Sequence, residues 1–441
     1  MSHCAEINFD GLIGPSHNYG GLSEGNIASQ SNLHHPSNPK AAALQGLQKM
    51  NALMAQGMSQ GFFLPQERPA LHALRDLGFS GTDELMIKQA GNKSPHLLAN
   101  VYSTSSMWAA NAATYSPSCD TKDGFIHITP ANLGSMLHRS LEPNFTKLQL
   151  ELIFGKAGQV HEPIVFLPKH GDEGAANHLR ISSNHSSPGF EIFVYGSKDY
   201  KDVGTMVLRQ GKLASLAVAD QHQLDSKKRF FLQQSRAAIE AGSFHNDIVS
   251  MANENLFIFH EQTFNDHSQL VSILNQLQSQ VEGFQSIEIK AAEISLEDLV
   301  SSYLLNSQLV TLPSGEMLML LPSEVQENDR CMTWLSQLSA TSPIQHIQFV
   351  DIDQSMMNGG GPACLRFKAV VNREEWAQLD HRFLLTPPKL LALEALVAKH
   401  YRDQLNPRDL RDIKLMHESY AFLDELTQLL ELGSFYQFQK I

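Results

Sequence analysis

The stretch "IVSMANENLFIFHE", residues 248–261, carries the pattern that decides the fold class. It is rich in β-branched and aromatic residues, a composition typical of strands. A polar cluster, "FHND" at residues 244–247, stands directly before it. The stretch therefore predicts strand structure that carries polar side chains at one end.

Similar segments are spread along the chain: "EINFDGLIG" (6–14), "PIVFLP" (163–168), "GFEIFVYG" (189–196), "SIEIKAAEI" (286–294), "EMLMLLP" (316–322) and "IQFVDI" (347–352). Helical patterns cover residues 38–57, 268–281, 295–309 and 386–432, the last with a break at "NPRD" (406–409). Asn38 is suited to cap the first helix, Pro39 to open it and Gly57 to end it. Ser295 and Asp298 form a capping-box pattern at the start of the third. The alternation predicts an α/β fold in which several short strands converge on one site.

Length and composition limit the classes of protein to consider. With 441 residues, the chain has either two domains or one large repetitive domain, and its 42% hydrophobic content supports a sizeable core. The formal net charge of −13 argues against nucleic acid or an anionic membrane as the main partner. No signal peptide is recognisable, and no apolar run approaches the roughly 18 residues of a membrane span. We therefore expect a soluble protein of the cytoplasm.

The cysteines point away from zinc and from a disulfide framework, because they are far apart and form no CxxC pair. They are Cys4, Cys119, Cys331 and Cys364. Cys364 lies in "NGGGPACLR", residues 358–366, directly after three glycines and a Pro-Ala pair. Consecutive glycines cost backbone entropy, which is understandable where the backbone bends sharply or a ligand comes close to it. Cys364 is thus a candidate nucleophile, and the alternative is a buried cysteine behind a tight turn.

Two further clusters carry groups for proton transfer or cation binding. His245 and Asp247 lie at positions i and i+2, which share one face if the segment begins a strand. A histidine near a cysteine can move protons and help to form the thiolate, although the cluster also fits a solvated strand end. Asp172 and Glu173, in "KHGDEGAANHLRI" (169–181), can receive a cationic substrate or move a proton. A solvated acidic turn or a weak cation loop is the alternative for this second cluster.

A polar loop near the N-terminus, "HNYGGLSEGNIAS" (17–29), can present backbone groups to a ligand. It lacks the lysine of a phosphate-binding loop and the glycine spacing of a dinucleotide site, so we assign it no nucleotide role. An ordinary surface loop is the alternative. "MWAANAAT" (107–114) and "LHRSLE" (137–142) are uninformative on their own.

Together, these motifs resemble, in order and from Ile7 to about Phe438, those of the N-succinylarginine dihydrolase family. The family belongs to the guanidine-modifying, pentein-type superfamily of arginine deiminases and amidinotransferases. The resemblance implies one catalytic domain over residues 1–441, an α/β propeller of five ββαβ-type units around a pseudo-fivefold axis. It also implies a homodimer in the cytoplasm, a small-molecule substrate, no nucleic-acid or membrane partner, and no metal or organic cofactor.

The resemblance also assigns residues. The nucleophile falls on Cys364, the catalytic histidine on His245 and the catalytic acid on Glu173. The substrate-binding positions are Gly20, Gly21, Leu22, Ser23, Glu24, Gly25, Asn26, Ile27, Ala28, Ser29, Asn111, His138, Arg139, Arg209, Asp247 and Asn358. Arg139 and Arg209 are suited to the succinyl and α-carboxylates. Asn111 is a neutral amide where free-arginine deiminases of the superfamily tend to have a carboxylate.

The implied activity is hydrolysis of N2-succinylarginine to N2-succinylornithine, two ammonia and carbon dioxide, in arginine catabolism by the arginine succinyltransferase pathway. Two alternatives remain from the sequence. A deiminase would stop after one ammonia, and residue types alone do not separate it from a dihydrolase. A non-catalytic propeller that binds another macromolecule would not need Cys364, His245 and Glu173 together, and the net charge of −13 disfavours the basic face expected of it.

Overall fold

A computed structural model describes residues 4–23, 25–165, 175–196 and 211–440, and it has an α/β fold. In chain order the strands are β1 (Ala5–Gly11), β2 (Ser59–Phe63), β3 (Ala113–Ser116), β4 (Ile126–Pro130), β5 (Gly158–Val160), β6 (His178–Ile181), β7 (Phe190–Tyr195), β8 (Arg229–Gln233), β9 (Ser250–Asn253), β10 (Leu256–His260), β11 (Gln285–Ile289), β12 (Gln308–Thr311), β13 (Met317–Pro322), β14 (Ile344–Val350) and β15 (Arg366–Val371). The α-helices are α1 (Ile27–Ser31), α2 (Pro39–Ala55), α3 (Leu71–Asp76), α4 (Asp83–Lys93), α5 (Pro95–Val101), α6 (Leu137–Ser140), α7 (Pro143–Phe154), α8 (Lys212–Gln221), α9 (Arg236–Glu240), α10 (His267–Gln280), α11 (Leu296–Ser302), α12 (Asp329–Thr341), α13 (Asp353–Met357), α14 (Arg373–Gln378), α15 (Pro387–His400) and α16 (Ile413–Leu429).

The described strands form five three-stranded sheets with one shared pattern. The strand orders are β15-β1-β2, β3-β4-β5, β6-β7-β8, β11-β10-β9 and β12-β13-β14. In every sheet the central strand pairs antiparallel with one neighbour and parallel with the other. The parallel partner needs a long crossover, and helices such as α2, α7, α10 and α12 lie in these connections. Five sheets of one pattern fit the five repeated units that the resemblance implied.

The first sheet joins the two ends of the chain. β1 pairs antiparallel with β15, from Ala5 opposite Val371 to Asp10 opposite Arg366, and parallel with β2. The last strand of the chain therefore completes the sheet that the first strand begins. This pairing holds the turn that precedes β15 close to the N-terminal segment.

Aromatic packing fixes this first sheet on its neighbour. The ring of Phe9 in β1 lies 5.6 Å from that of Phe63, 5.3 Å from that of Phe154 and 6.4 Å from that of Phe367. All four rings are buried, and such offset or tilted pairs contribute beyond their buried area. Because Phe154 ends α7 of the second unit, the cluster connects the two units rigidly.

Several elements agree with their predicted start and end signals. The side chain of Asn38 accepts a hydrogen bond from the N–H of Ala41 at 2.9 Å, Pro39 opens α2, and Gly57 follows the helix at φ +82°. Ser295 caps α11 by accepting from the N–H of Asp298 at 3.0 Å. The C-terminal helices are separated near "NPRD", as the sequence predicted.

Two predicted elements differ in the structure. The helix expected over 295–309 ends at Ser302, because Tyr303 has a left-handed backbone at φ +57°, and the end of that segment forms β12. The strand expected at "PIVFLP" is not formed at residues 163–165, and residues 166–168 lie outside the described part of the chain. Apolar composition alone does not separate these cases from true strands and helices.

One strand from each sheet lines a single cavity. These strands are β3, β6, β9, β12 and β15, the antiparallel edge partners of the five central strands. This agrees with the prediction that several strands converge. None of the helices in the described ranges is long and apolar enough to cross a membrane.

Candidate active site

The three glycines before Cys364 allow other side chains to approach the backbone closely. Gly359 has φ +99°, and a Cβ there would lie 2.2 Å from Nδ2 of Asn26. A Cβ on Gly360 would lie 2.2 Å from the Trp108 ring, and one on Gly361 would lie 2.6 Å from Oδ1 of Asn306. Each glycine is therefore required by a tertiary contact. Among the described residues, the side chains of Asn26, Trp108 and Asn306 lie against this turn.

Cys364 is held between that turn and β15. Its backbone N–H donates to the carbonyl of Gly361 at 3.1 Å, and its carbonyl accepts from the N–H of Ala110 at 3.0 Å. The thiol lies 3.2 Å from Oδ1 of Asn306 and 3.7 Å from Oδ2 of Asp247. The side chain is buried, so its position is fixed by these contacts.

Burial and charge oppose ionisation at this pair. Burial, with a further contribution from the Asp247 carboxylate, raises the pKa of the Cys364 thiol well above its usual range. Burial also raises the pKa of Asp247 to about 7, although hydrogen bonds from Cys364 and Asn306 lower it in part. Two buried acidic groups in contact disfavour each other's charge. A cation bound beside them would favour the ionised form of both.

His245 faces the same pocket and is oriented by Asn111. Nδ2 of Asn111 lies 3.3 Å from Nδ1 of His245, while Oδ1 of Asn111 accepts from the N–H of Ala176 at 3.3 Å. The Ala176 contact sets the amide orientation, so the –NH₂ group faces the ring. Asn111 is therefore a hydrogen-bond partner of Nδ1 of His245 and holds the ring in the pocket.

The local structure around His245 differs from the prediction. His245 has an extended backbone and precedes a 3₁₀ turn over Asn246–Ile248, so His245 and Asp247 do not share a strand face. The tight turn still brings both side chains to the pocket that holds Cys364. Asp247 contacts the thiol, and His245 lines the pocket that Cys364 lines.

This pocket, of about 30 Å³, brings together part of the predicted set. Seven of the predicted residues line it: Ser23, Asn26, Asn111, Arg139, His245, Asn358 and Cys364. The rest of its wall is Trp108, Leu133, Met136, Phe244 and Gly359. Asp247 joins the set through its contact with the thiol.

Part of the N-terminal loop lies at this pocket. Asn26 caps α1 by accepting from the N–H of Ser29 at 3.0 Å, and its Nδ2 donates to the carbonyl of Gly359 at 2.7 Å. The loop is thereby fixed to the glycine turn. The side chain of Ile27 is 64% exposed. The predicted positions that do not line the pocket are Gly20, Gly21, Leu22, Gly25, Ile27, Ala28 and Ser29.

Arg139 reaches the pocket from α6 and is held by an acid. One terminal nitrogen donates to the carbonyl of Ser105 at 2.9 Å, and Nε lies 3.2 Å from Oε2 of Glu142. Both charged side chains are buried, which fixes the guanidinium in place. His138, the neighbouring predicted residue, is buried and does not line the pocket. Glu24, Glu173 and Arg209 lie outside the described residues.

Two site residues were missed from the sequence. Asn306 contacts both Cys364 and the N–H of Gly361, and Trp108 packs against Gly360. Asn306 lies inside the segment predicted as one long helix, where no local signal marks it. Trp108 lies in "MWAANAAT", where no local signal marks it. Within the described residues no group of three or more His, Cys, Asp or Glu side chains is arranged to hold a metal ion.

Comparison with known proteins identifies the family. The family model described as succinylarginine dihydrolase matches residues 3–439. The chain belongs to the succinylarginine dihydrolase family. It is 46% identical over 449 residues to the N-succinylarginine dihydrolase of Shewanella oneidensis, and 46% identical over 444 residues to that of Aeromonas hydrophila. Each match covers 99% of both chains, so the resemblance of the motifs extends over the whole length.

Solved structures support the fold. The apo structure of ArgZ, an arginine dihydrolase from the ornithine–ammonia cycle in cyanobacteria, matches with a TM-score of 0.52 at 11% identity. That match covers 82% of this chain and 40% of the ArgZ chain. The N-terminal domain of ArgZ bound to product matches with a TM-score of 0.51 at 12% identity, over 82% of this chain and 97% of that domain. These likenesses show a shared α/β fold.

Proposed function

We propose that this chain hydrolyses N2-succinylarginine with two waters to N2-succinylornithine, two ammonia and carbon dioxide. Its membership of the succinylarginine dihydrolase family supports the activity. The observation that carries the assignment of roles is that Cys364 and His245, distant in sequence, line one pocket, with Asp247 in contact with the thiol.

Substrate charge activates the nucleophile. In the free protein, burial keeps the pKa of Cys364 high and raises that of Asp247 to about 7. A guanidinium cation placed beside Asp247 forms charge-assisted hydrogen bonds with the carboxylate and stabilises the thiolate as well. Glu173 is the second carboxylate for the guanidinium in this proposal. The thiolate therefore forms mainly when substrate is bound.

The first hydrolysis uses Cys364 and His245 in turn. The thiol proton of Cys364 passes to His245 as the thiolate forms. The thiolate attacks the guanidinium carbon, and the His245 imidazolium gives that proton to the departing nitrogen, so that ammonia leaves and the ring is neutral again. An amidino group remains bonded to sulfur. Water then bonds to that carbon, His245 takes one of its protons, and the carbon–sulfur bond breaks with its electron pair returning to sulfur. The product of this round is a ureido compound.

The second hydrolysis acts on the same carbon. The ureido group is neutral and presents a carbonyl oxygen, which a carboxylate at the position of Asn111 would repel. Asn111 is an amide with two N–H groups, of which one contacts His245. The other is suited to donate to the ureido oxygen, while Asp247 accepts from the ureido –NH₂. A second attack by Cys364 releases the second ammonia and leaves the carbonyl carbon bonded to sulfur. A second water then adds to that carbon, the carbon–sulfur bond breaks with its electron pair returning to sulfur, and the resulting carbamate loses carbon dioxide.

Recognition of the far end of the substrate is assigned to cationic groups. Arg139 lines the pocket and is held in place by Glu142. In this proposal Arg139 and Arg209 bind the succinyl and α-carboxylates of the substrate. Free arginine has an α-carboxylate but no succinyl carboxylate. A site built for a charged group rejects an analogue without it more strongly than an apolar pocket can.

The proposal extends to the whole molecule. The five sheets form the units of an α/β propeller in one domain, because the antiparallel edge strand of each sheet lines the same cavity. The protein is a cytoplasmic homodimer without a nucleic-acid partner, in line with its net charge of −13.

Trapping the covalent intermediate tests the role of Cys364. Wild-type protein is mixed with N-succinylarginine, quenched in acid within milliseconds and mapped by peptide mass spectrometry. We expect an amidino adduct on Cys364, and none in Cys364→Ser, which should still bind substrate. An adduct on Cys4, Cys119 or Cys331, or turnover by Cys364→Ser, would overturn the assignment.

A further inference from the structure

A second cavity, with charged side chains in its lining, lies beside the pocket that holds Cys364. It has a volume of about 160 Å³ and is lined by residues of β3, β6, β9, β12 and β15, one strand from each of the five sheets. Along β15 and its preceding loop, residues between Ala363 and Val370 contribute to the lining.

The wall between this cavity and the substrate pocket is one residue thick. Ala110 and Ala363 line the cavity, whereas their neighbours Asn111 and Cys364 line the pocket. Asp247 stands in the same wall. It lines the cavity and its Oδ2 faces the thiol of Cys364, so its carboxylate contacts both spaces.

The lining of the cavity is suited to water. Oδ1 of Asp247 and Oγ of Ser307 are buried and have no hydrogen-bond partner among the described residues. Buried polar atoms in native proteins are satisfied by protein groups or by ordered water. The side chains of Arg366 and Lys368, farther along β15, are 15% and 24% exposed and lie near Glu6. At about 30 Å³ for each water molecule of the liquid, a cavity of about 160 Å³ has room for about five water molecules.

The substrate pocket has little room for water by comparison. It measures about 30 Å³, and Trp108, Met136 and Phe244 form much of its wall. A substrate whose carboxylates stay anchored through two hydrolyses occupies this pocket throughout. Water for both hydrolyses must then reach the amidino carbon from another side.

We propose that the cavity delivers the hydrolytic water to the amidino carbon past Asp247, an inference that rests on the proposed dihydrolase activity. A water held by Oδ1 of Asp247 moves to the carbon of the amidino adduct. Its oxygen forms a bond to that carbon, and the carbon–sulfur bond breaks with its electron pair going to Sγ of Cys364. One water proton goes to His245, and the second leaves with the solvent as the ureido carbonyl forms. The cationic adduct and water thus give a neutral ureido product, a thiolate and two protons.

Filling the cavity tests this route. Ser307→Leu adds bulk to the lining from the segment that leads into β12, and Ala252→Leu does so from β9. Ala252→Ser is the matched control, since it changes the same position of β9 and leaves the passage open. For each protein that keeps a cooperative melting transition, kcat and KM for N-succinylarginine are measured, together with the adduct fraction in acid-quenched steady-state samples.

We expect the two leucine variants to lower kcat and KM together by tenfold or more, with most of the protein present as the Cys364 adduct. Their kcat/KM should stay within about twofold of wild type, because adduct formation precedes the entry of water. Ala252→Ser should match wild type in all three measurements. Two leucine variants that fold, turn over like wild type and show no added adduct would overturn the water route. Failure of the proposed function is distinguishable, because wild-type protein would then form neither adduct nor ammonia.

Discussion

The side-chain oxygen of Asn306 lies 3.2 Å from Sγ of Cys364. The same oxygen accepts from the N–H of Gly361 at 2.9 Å, and the carbonyl of Asn306 accepts from the N–H of Ala363 at 3.1 Å. Asn306 thereby fixes the turn that carries the nucleophile and orients its sulfur. It is a positioning residue for Cys364.

Asn306→Ala should lower kcat while the protein remains folded. An unmade hydrogen bond at a buried group costs about 1–3 kcal/mol, which corresponds to about 5- to 150-fold in rate if the cost appears in the transition state. Asn328→Ala is the control, since Asn328 caps α12 away from the pocket. Both variants should lose stability, and only Asn306→Ala should lose turnover. Equal kcat values for the two would contradict the positioning role.

Gly359→Ala should damage the site more than an equally strained glycine elsewhere. Gly359 and Gly315 have φ of +99° and +88°, so alanine costs roughly 1–2 kcal/mol at either position. A Cβ on Gly359 also meets Asn26 at 2.2 Å, whereas one on Gly315 has nothing within 4 Å. We expect a larger loss in melting temperature for Gly359→Ala, because its Cβ meets Asn26, and a large loss of kcat/KM for Gly359→Ala alone. A fully active Gly359→Ala would show that the contact with Asn26 does not matter to catalysis.

Asp247→Asn should stabilise the unliganded protein at high pH. Burial raises the pKa of Asp247 from 3.8 to about 7 in the folded state. The folded protein thus keeps a proton that the unfolded chain releases, so stability falls as pH rises through this window and the full penalty is present above pH 7. The pKa difference corresponds to a loss of about 4 kcal/mol in the free energy of unfolding above pH 7.

Urea unfolding of wild type and Asp247→Asn at a series of pH values measures this penalty. The free energy of unfolding of the variant should exceed that of wild type above pH 7, and the advantage should vanish below pH 4. The variant should also be inactive, because the carboxylate that holds the guanidinium is gone. A constant difference between the two proteins across the pH range would exclude the ionisation of Asp247 as its cause.

Cys364 should react slowly with a neutral alkylating agent in the absence of substrate. Its pKa is raised by burial and by Asp247, so little thiolate is present near pH 7.5 and the alkylation rate should still be rising above pH 9. In Asp247→Asn the rate at any given pH should increase, because the neighbouring negative charge is removed. Peptide mapping after iodoacetamide treatment measures both rates. A rate for wild type that levels off near neutral pH would mean that the thiolate exists before substrate binds.

The sequence predicted the parts of the fold that depend on local composition. β7, β10 and β13 follow from short apolar runs, and α2 follows from Asn38, Pro39 and Gly57. The segment after Ser295 was predicted too long, because its apolar residues fit a helix and nothing local marks the left-handed backbone at Tyr303. That error also concealed Asn306.

The sequence also predicted only part of the site, because some of its contacts come from distant parts of the chain. The motifs indicated Cys364, His245 and Asp247 as chemistry-bearing residues, and the structure brings them together. The purpose of the glycine triplet could not be predicted, because Asn26, Trp108 and Asn306 approach it from distant parts of the chain. The cavity lined by β3, β6, β9, β12 and β15 could not be predicted either, since it forms only where one strand from each of the five sheets contributes to its wall.

The ratio of ammonia to N2-succinylornithine tests the central claim most directly. Purified protein is incubated with N-succinylarginine to completion, beside free arginine and beside Cys364→Ala, and ammonia, succinylornithine and succinylcitrulline are quantified. The account predicts two ammonia for each succinylornithine, little or no reaction with free arginine, and none with Cys364→Ala. One ammonia per substrate, with succinylcitrulline as the final product, would contradict it and make the protein a deiminase.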